Sequence, residues 1–169
     1  MRNVFIVVGI GVIAIMIWAV ASTYGTSLLS TQAVPVPIST GAVPVSFTEL
    51  AHGMHSTVSA RSNYLITSHS ELLALWAIID APGQTPAVDF TQNDVIAVFA
   101  GNEPAAGYGI KVSQVEDSQS RVVTVLLTKP GVSCLSPHAA VSPYQVIELP
   151  KTMLALTHQD QENTVSCLQ

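Results

Sequence analysis

The sequence predicts an α+β domain, built on a mainly antiparallel β-sheet of about five to seven strands with one helix and preceded by an N-terminal transmembrane helix. Three observations predict this architecture. Short apolar or alternating runs recur between turn residues, and one segment, residues 72–79, has the period of an amphipathic helix. Residues 4–20 form an uncharged apolar run.

The N-terminal run, VFIVVGIGVIAIMIWAV, rises about 25 Å as a helix, which is close to the thickness of a bilayer core. Arg2 precedes the run and the next charge is Glu49, an asymmetry that favours export of the remainder. Residues 1–22 are therefore predicted to be a membrane anchor. The alternative is a signal peptide cleaved after Ala21, which would release the domain into the periplasm or the medium.

Residues 23–45 form a predicted linker rich in Pro, Ser and Thr, and residues 46–169 form the predicted soluble domain. Pro35, Pro37 and Pro44 interrupt the linker, which carries no charge. Alternation over residues 34–38 permits a first edge strand as the other interpretation, although the prolines disfavour it.

The single predicted helix begins after Ser68. Ser68 and Glu71 have the spacing of a capping box, in which each side chain bonds a backbone N–H at the helix start. Apolar residues then follow at i, i+3, i+4 and i+7, and Pro82 and Gly83 follow the helix. The apolar stripe consists of Leu72, Leu75, Trp76 and Ile79.

Strands are predicted where β-branched and aromatic residues cluster, with the boundaries marked by Gly, Pro and polar turns. Residues 46–51 and 56–60 are weaker strand candidates, and residues 86–90 are expected to be extended. The C-terminal segment 152–169 is expected to hold a short apolar cluster followed by a polar tail. The stronger strands are residues 63–67, 95–100, 108–112, 122–128 and 144–149.

The central motif is residues 95–112, VIAVFAGNEPAAGYGIKV, which reads as strand, loop, strand. The first strand is almost continuously apolar, which is typical of burial on both faces. The loop is rich in Gly and Ala, so its backbone can approach another molecule, although a plain structural hairpin fits equally well. The predicted binding residues are Gly101, Asn102, Glu103, Pro104, Ala105, Ala106, Gly107 and Tyr108.

Charge and motif content argue against several functions. The chain has six Lys and Arg residues and a net charge of -5, which excludes an electrostatic footprint for nucleic acid. His52 and His55 lack the Glu of a zinc-protease helix, and neither Ser136 with His138 nor Cys134 with His138 forms a recognisable catalytic motif. We therefore expect a non-enzymatic protein without a metal or cofactor.

Cys134 and Cys167 are the two cysteines of the chain. Export to an oxidising compartment favours a disulfide between them, and the alternative is two thiols. A bridge would attach the C-terminal tail to the domain.

Three segments resemble the PrcB-type C-terminal domain, a module of exported bacterial proteins named after a subunit of a surface protease complex. They are PAVDF at residues 86–90, the central motif, and SPYQVIELPK at residues 142–151. The family usually has Thr-Gly-Gly-Tyr where this chain has Ala105-Ala106-Gly107-Tyr108. The resemblance implies a non-enzymatic role in stabilising or assembling a protease or another surface protein.

The loop also resembles the Asn-Pro-Thr-Thr-Gly-Tyr loop of chagasin-type cysteine-protease inhibitors. Here Glu103 is inserted, both Thr are Ala, and Ile110 stands near the position where a Trp is expected. This second resemblance implies a protease inhibitor that uses the loop 101–109.

Overall fold

The computed structural model describes residues 41–134 and 139–166. This part of the chain is mainly β with one short helix, which confirms the predicted class. The elements in order are β1 (Val43–Pro44), β2 (Thr48–Gly53), β3 (Ser62–Ile66), α1 (His69–Trp76), β4 (Asn93–Phe99), β5 (Gly109–Asp117), β6 (Arg121–Pro130), β7 (Tyr144–Pro150) and β8 (Leu156–Val165).

The strands form two four-stranded sheets. The first, here called the outer sheet, has the order β1-β5-β6-β8, and the second, the central sheet, has the order β2-β7-β4-β3. Strand β8 runs parallel to β6, whereas the other strand pairs of the described residues are antiparallel. A mixed outer sheet is therefore the exception to the predicted antiparallel arrangement.

The two sheets pack face to face around one core. Alternate residues of β4 and β7 in the central sheet meet alternate residues of β5 and β6 in the outer sheet. The buried members are Ile96, Val98, Ile110, Val112, Val115, Val123, Val125, Ile147 and Leu149.

A second core lies on the other face of the central sheet, under α1. Leu72 and Leu75 of α1 pack there with Phe99, Tyr144 and other residues of the sheet. Strands β4 and β7 are therefore covered on both faces, as the continuous apolar run at residues 95–100 predicted for β4.

The helix begins as its capping residues predicted. The Glu71 N–H donates to Ser68 Oγ at 3.3 Å, and the Glu71 carboxylate accepts from the N–H of Thr67 at 2.7 Å. The helix ends at Trp76, earlier than the apolar stripe suggested. The next residues leave it to pair with residues 55–57, through Thr57 N–H to Ile78 O at 2.9 Å and Asp80 N–H to His55 O at 3.2 Å.

The strand count exceeds the expected five to seven because residues of the linker and the tail also pair. Val43–Pro44 lies inside the segment assigned as linker and forms β1 on β5. The polar tail forms β8, ten residues long. Residues 56–60, a weaker candidate, contribute only an isolated bridge from Ser56 to Ile79.

Two buried polar side chains connect the sheets. Gln145 of β7 accepts from the Val112 N–H of β5 at 2.6 Å and donates to Glu49 of β2. Arg121 of β6 forms a two-bond ion pair with Asp117 and donates to the carbonyl oxygen of Pro150. These bonds fix the position of each sheet relative to the other.

The predicted membrane segment, residues 4–20, lies outside the described residues, as does most of the linker. Within residues 41–134 and 139–166, no helix is long and apolar enough to cross a bilayer.

Candidate binding surface

The predicted binding loop connects β4 to β5 at one end of the sandwich. Its first residue, Gly101, is buried, whereas Asn102, Pro104 and Gly107 are exposed. The rest of the loop is half-buried. The structure thus presents the loop as a fixed base with an accessible tip.

Gly101 holds one side of the loop base against the segment before β3. Its φ is +88°, and a Cβ atom there would lie 2.8 Å from the Ala60 carbonyl carbon and 2.9 Å from the Arg61 nitrogen. The next residue, Asn102, donates its N–H to Ser59 O at 3.1 Å. Only glycine satisfies both the positive φ and the close backbone approach, so this residue fixes where the loop starts.

The other side of the loop base pairs with the segment before β7. Glu103 and Val141 exchange two backbone hydrogen bonds, at 2.8 and 3.0 Å. Ser142 Oγ donates to Asn102 Oδ1 at 2.8 Å. The loop is therefore held from two directions by segments that are distant in sequence.

The second half of the loop turns through Gly107, which has a φ of +95°. This glycine is retained from the Gly-Gly pair of the PrcB pattern, so the chain keeps a residue that suits this turn at Gly107 although Ala106 replaces the other glycine. Tyr108 follows it and is half-buried.

Tyr108 lines a cleft of about 170 Å³ at the loop end of the molecule. Charged side chains from three other segments also line it: Arg61, Lys129 and Glu162. Lys129 Nζ lies 2.6 Å from Glu162 Oε1, and this hydrogen bond raises the pKa of the Lys129 ammonium above its usual range. The cleft thus combines one aromatic ring with a rim of paired charges, an arrangement suited to a protein partner.

The remaining candidates for chemistry are dispersed. His52 lies beside Glu49, with Nδ1 and Oε1 2.6 Å apart on the surface, and His55 is exposed. Ser136 and His138 lie outside the described residues. In the described ranges, no three His, Cys, Asp or Glu residues are placed to hold a metal ion.

The edge strand β3 contains none of the residues that the sequence predicted to bind a partner. Tyr64 and Leu65 are 45% and 48% exposed, and both lie on the last strand of the central sheet. The sequence feature that could have indicated this surface is the run Tyr64-Leu65-Ile66, which is more apolar than a protected edge strand usually is. Without the sheet order, this run looks like any buried strand.

A comparison with known protein families matches part of this chain. The family model described as PrcB C-terminal matches residues 95–150, which run from β4 to β7 and include the loop. This match confirms the resemblance to the PrcB-type C-terminal domain over about a third of the chain. No curated protein and no solved structure matches the chain.

Proposed function

We propose that this protein is an exported, membrane-tethered binding protein, without enzymatic activity, that stabilises or assembles a protease or another surface protein complex. The family name supports an accessory role in a protease complex. The uncharged apolar run at residues 4–20 and the predicted linker after it support the membrane tether.

The observation that carries the proposal is the loop 101–109. It lies inside the family match, its base is hydrogen-bonded on both sides, and its tip is exposed. A pre-organised loop loses little conformational entropy on binding, so its contacts contribute efficiently to affinity. Tyr108 supplies an aromatic side chain of the type enriched at binding hot spots.

We also propose that Cys134 and Cys167 form a disulfide. Cys134 Sγ lies 3.5 Å from the carbonyl oxygen of Val165, which is two residues before Cys167 in the sequence. Cys167 itself lies outside the described residues. The bridge would fasten β8 to the end of β6 in an oxidising compartment.

The test is co-purification of the full chain from membranes in mild detergent, followed by mass spectrometry. Gly107→Val forces a β-branched residue to a φ of +95°, so we expect loss of the captured partner. Gly83→Val is the matched control, because Gly83 also has a positive φ, +85°, with no neighbouring atom within 4 Å of an added Cβ. Equal capture by both variants would refute the role of the loop.

Assay of the captured protein distinguishes assembly from inhibition. A protease that stays active in the complex supports the accessory role, whereas one that loses its activity supports a chagasin-like inhibitor. An activity of the chain itself that disappears in Ser136→Ala or His138→Ala would overturn the non-enzymatic assignment.

A further inference from the structure

One edge of β3 pairs with no other strand of the described residues; this edge, here called the free edge, borders an apolar groove. The groove lies between β3 and α1 and has a volume of about 410 Å³. Its lining contains one charged residue, Glu71, and six apolar or aromatic residues: Tyr64, Leu65, Ile66, Ala74, Leu75 and Ile78. An apolar groove of this size beside a sheet edge has the form of sites that accept an extended segment of another chain.

Within residues 41–134 and 139–166, the backbone groups on this edge of β3 pair with no other strand. Strand β3 ends the central sheet, and its pairing in the described residues is with β4. In an antiparallel ladder, alternate residues direct their N–H and C=O groups away from the existing partner. The sequence of β3, SNYLI, contains neither proline nor charge, the devices that usually protect an edge.

A second cleft lies on the opposite face of β3. It has a volume of about 290 Å³, separates β3 from β8, and is lined by Leu65, Leu156 and His158 among others. Successive side chains of a strand point to opposite faces. A strand added to β3 would therefore place one set of side chains towards α1 and the other towards β8.

The negative charge of Glu71 in the groove favours a bound segment that carries a positive charge. Glu71 Oε2 accepts from the N–H and the hydroxyl of Thr67, at 2.7 and 3.2 Å, and the side chain is exposed. The bond from the Thr67 N–H lowers the pKa of this exposed carboxyl, so it is ionised at neutral pH. An apolar segment with a Lys or Arg at the Glu71 end complements the groove in both shape and charge.

The edge of β3 is continuous with the loop surface. Ser62 at the start of β3 pairs with Phe99, the last residue of β4 before the loop. Arg61 lines both the cleft between β3 and β8 and the cleft at Tyr108. One partner can therefore cover the loop and extend a strand along β3.

We propose that the free edge of β3 is a strand-addition site for an extended, apolar segment of a partner protein, with a Lys or Arg side chain placed against Glu71. The inference deepens the proposed function and rests on it. It names the chemistry of the partner segment and a second contact surface on this protein.

The first experiment measures binding of a fluorescently labelled peptide, Lys-Val-Thr-Val-Thr-Val, to the full chain in detergent by anisotropy. We expect Ala74→Arg to weaken binding at least about tenfold, because a long charged side chain enters the groove. Ala77→Arg is the matched control, since Ala77 is exposed on the same helix end but does not line the groove. Equal affinities of the two variants, or no saturable binding by the unaltered chain, would overturn the site.

A second variant tests the charge. Glu71→Gln keeps an oxygen for the bonds from Thr67, so the helix cap is preserved. We expect about threefold weaker binding of the Lys peptide, the scale of an exposed ion pair, and no change for a peptide with Gln in place of Lys. An equal effect on both peptides would refute the ion pair with Glu71.

Capture of the native partner from membranes separates this inference from the proposed function. Loss of capture by both Ala74→Arg and Gly107→Val supports both surfaces. Loss by Gly107→Val alone overturns strand addition at β3 and leaves the loop function intact. Loss by Ala74→Arg alone supports the β3 site and overturns the role of the loop.

Discussion

Strands β4 and β8 are stabilised in opposite ways, although both belong to one domain. From Asp94 to Phe99, every residue of β4 is buried, and its two faces contribute to two separate cores. All ten residues of β8 are exposed. Burial of apolar side chains therefore stabilises β4, whereas β8 depends on its backbone ladder with β6 and on contacts of its polar side chains.

Two ion pairs hold the exposed strand in register. Asp160 accepts two hydrogen bonds from Arg61, at 2.6 and 2.9 Å, and Glu162 accepts from Lys129. Exposed pairs of this kind contribute little stability, so β8 should open more readily than the central sheet. Strands in this domain therefore form for two reasons: β4 buries apolar side chains, whereas β8 pairs its backbone with β6.

The largest expected effect is a charge placed in β4. Val98 is fully buried between the sheets, and Val98→Asp would bury a carboxylate without a partner. We expect more than about 4 kcal/mol of destabilisation, measured by urea denaturation. Val165→Asp, at a residue of β8 that is 45% exposed, should cost less than about 1 kcal/mol. Similar losses at both positions would break the comparison.

Reduction of the proposed disulfide is expected to act mainly through β8. A loop of about 34 residues closed by a bridge contributes on the order of 3–4 kcal/mol in the chain-entropy model. Because the bridge would fasten the exposed strand β8 to the end of β6, hydrogen exchange after reduction should accelerate first at the amides of β8, with β4 the last to lose protection. Cys134→Ser is the control, because hydrogen exchange in this variant should be the same with and without reductant. Hydrogen exchange in the unaltered chain that does not change on reduction would disprove the bridge.

A smaller effect is expected from the polar connection between the sheets. Gln145→Leu leaves the Val112 N–H without its acceptor in a buried position, which costs about 1–3 kcal/mol. Gln114→Leu removes a surface bond to Glu116 and should cost less than about 0.5 kcal/mol. The free energies of unfolding of the two variants test whether burial determines the cost of the same substitution.

The smallest expected effect is a loss of stability at low pH. The hydrogen bonds from Arg121 lower the pKa of Asp117, and the bond from Gln145 lowers that of Glu49. Because both folded pKa values lie below the unfolded ones, the stabilisation is complete above the unfolded pKa values and is lost as pH falls through the folded values, below about pH 4. Asp117→Asn should flatten the decrease in unfolding free energy below pH 4. An unchanged pH profile would contradict the contribution of this ion pair.

Local sequence was sufficient for several elements because their causes are local. Ser68 and Glu71 mark the helix start, since capping depends on residues within one turn. The apolar run of β4 predicts burial on both faces, and its boundaries follow from Gly101. The strand at Tyr64–Ile66, the first half of β5 and most of β6 are likewise apparent from their apolar residues, whereas β5 extends five residues beyond the predicted end at Val112.

Other features were decided only by tertiary structure. Helix α1 ends earlier than its apolar stripe predicts because residues 78–80 pair with residues 55–57. No local sequence pattern specifies this pairing. Neither the placement of β3 at a sheet edge nor the contact of the loop base with Ser59 and Val141 can be inferred from spacing, since each joins segments far apart in the chain.

The sequence by itself determined the strongly apolar strands, the helix start and the glycine-rich loop, because each depends on side-chain burial, capping or φ at neighbouring residues. Tertiary structure alone decided that the polar segment 156–165 is a strand. None of its residues is buried in a core, so its conformation depends on the backbone groups of β6 and on Arg61 and Lys129, which become its neighbours only after the sheets have packed.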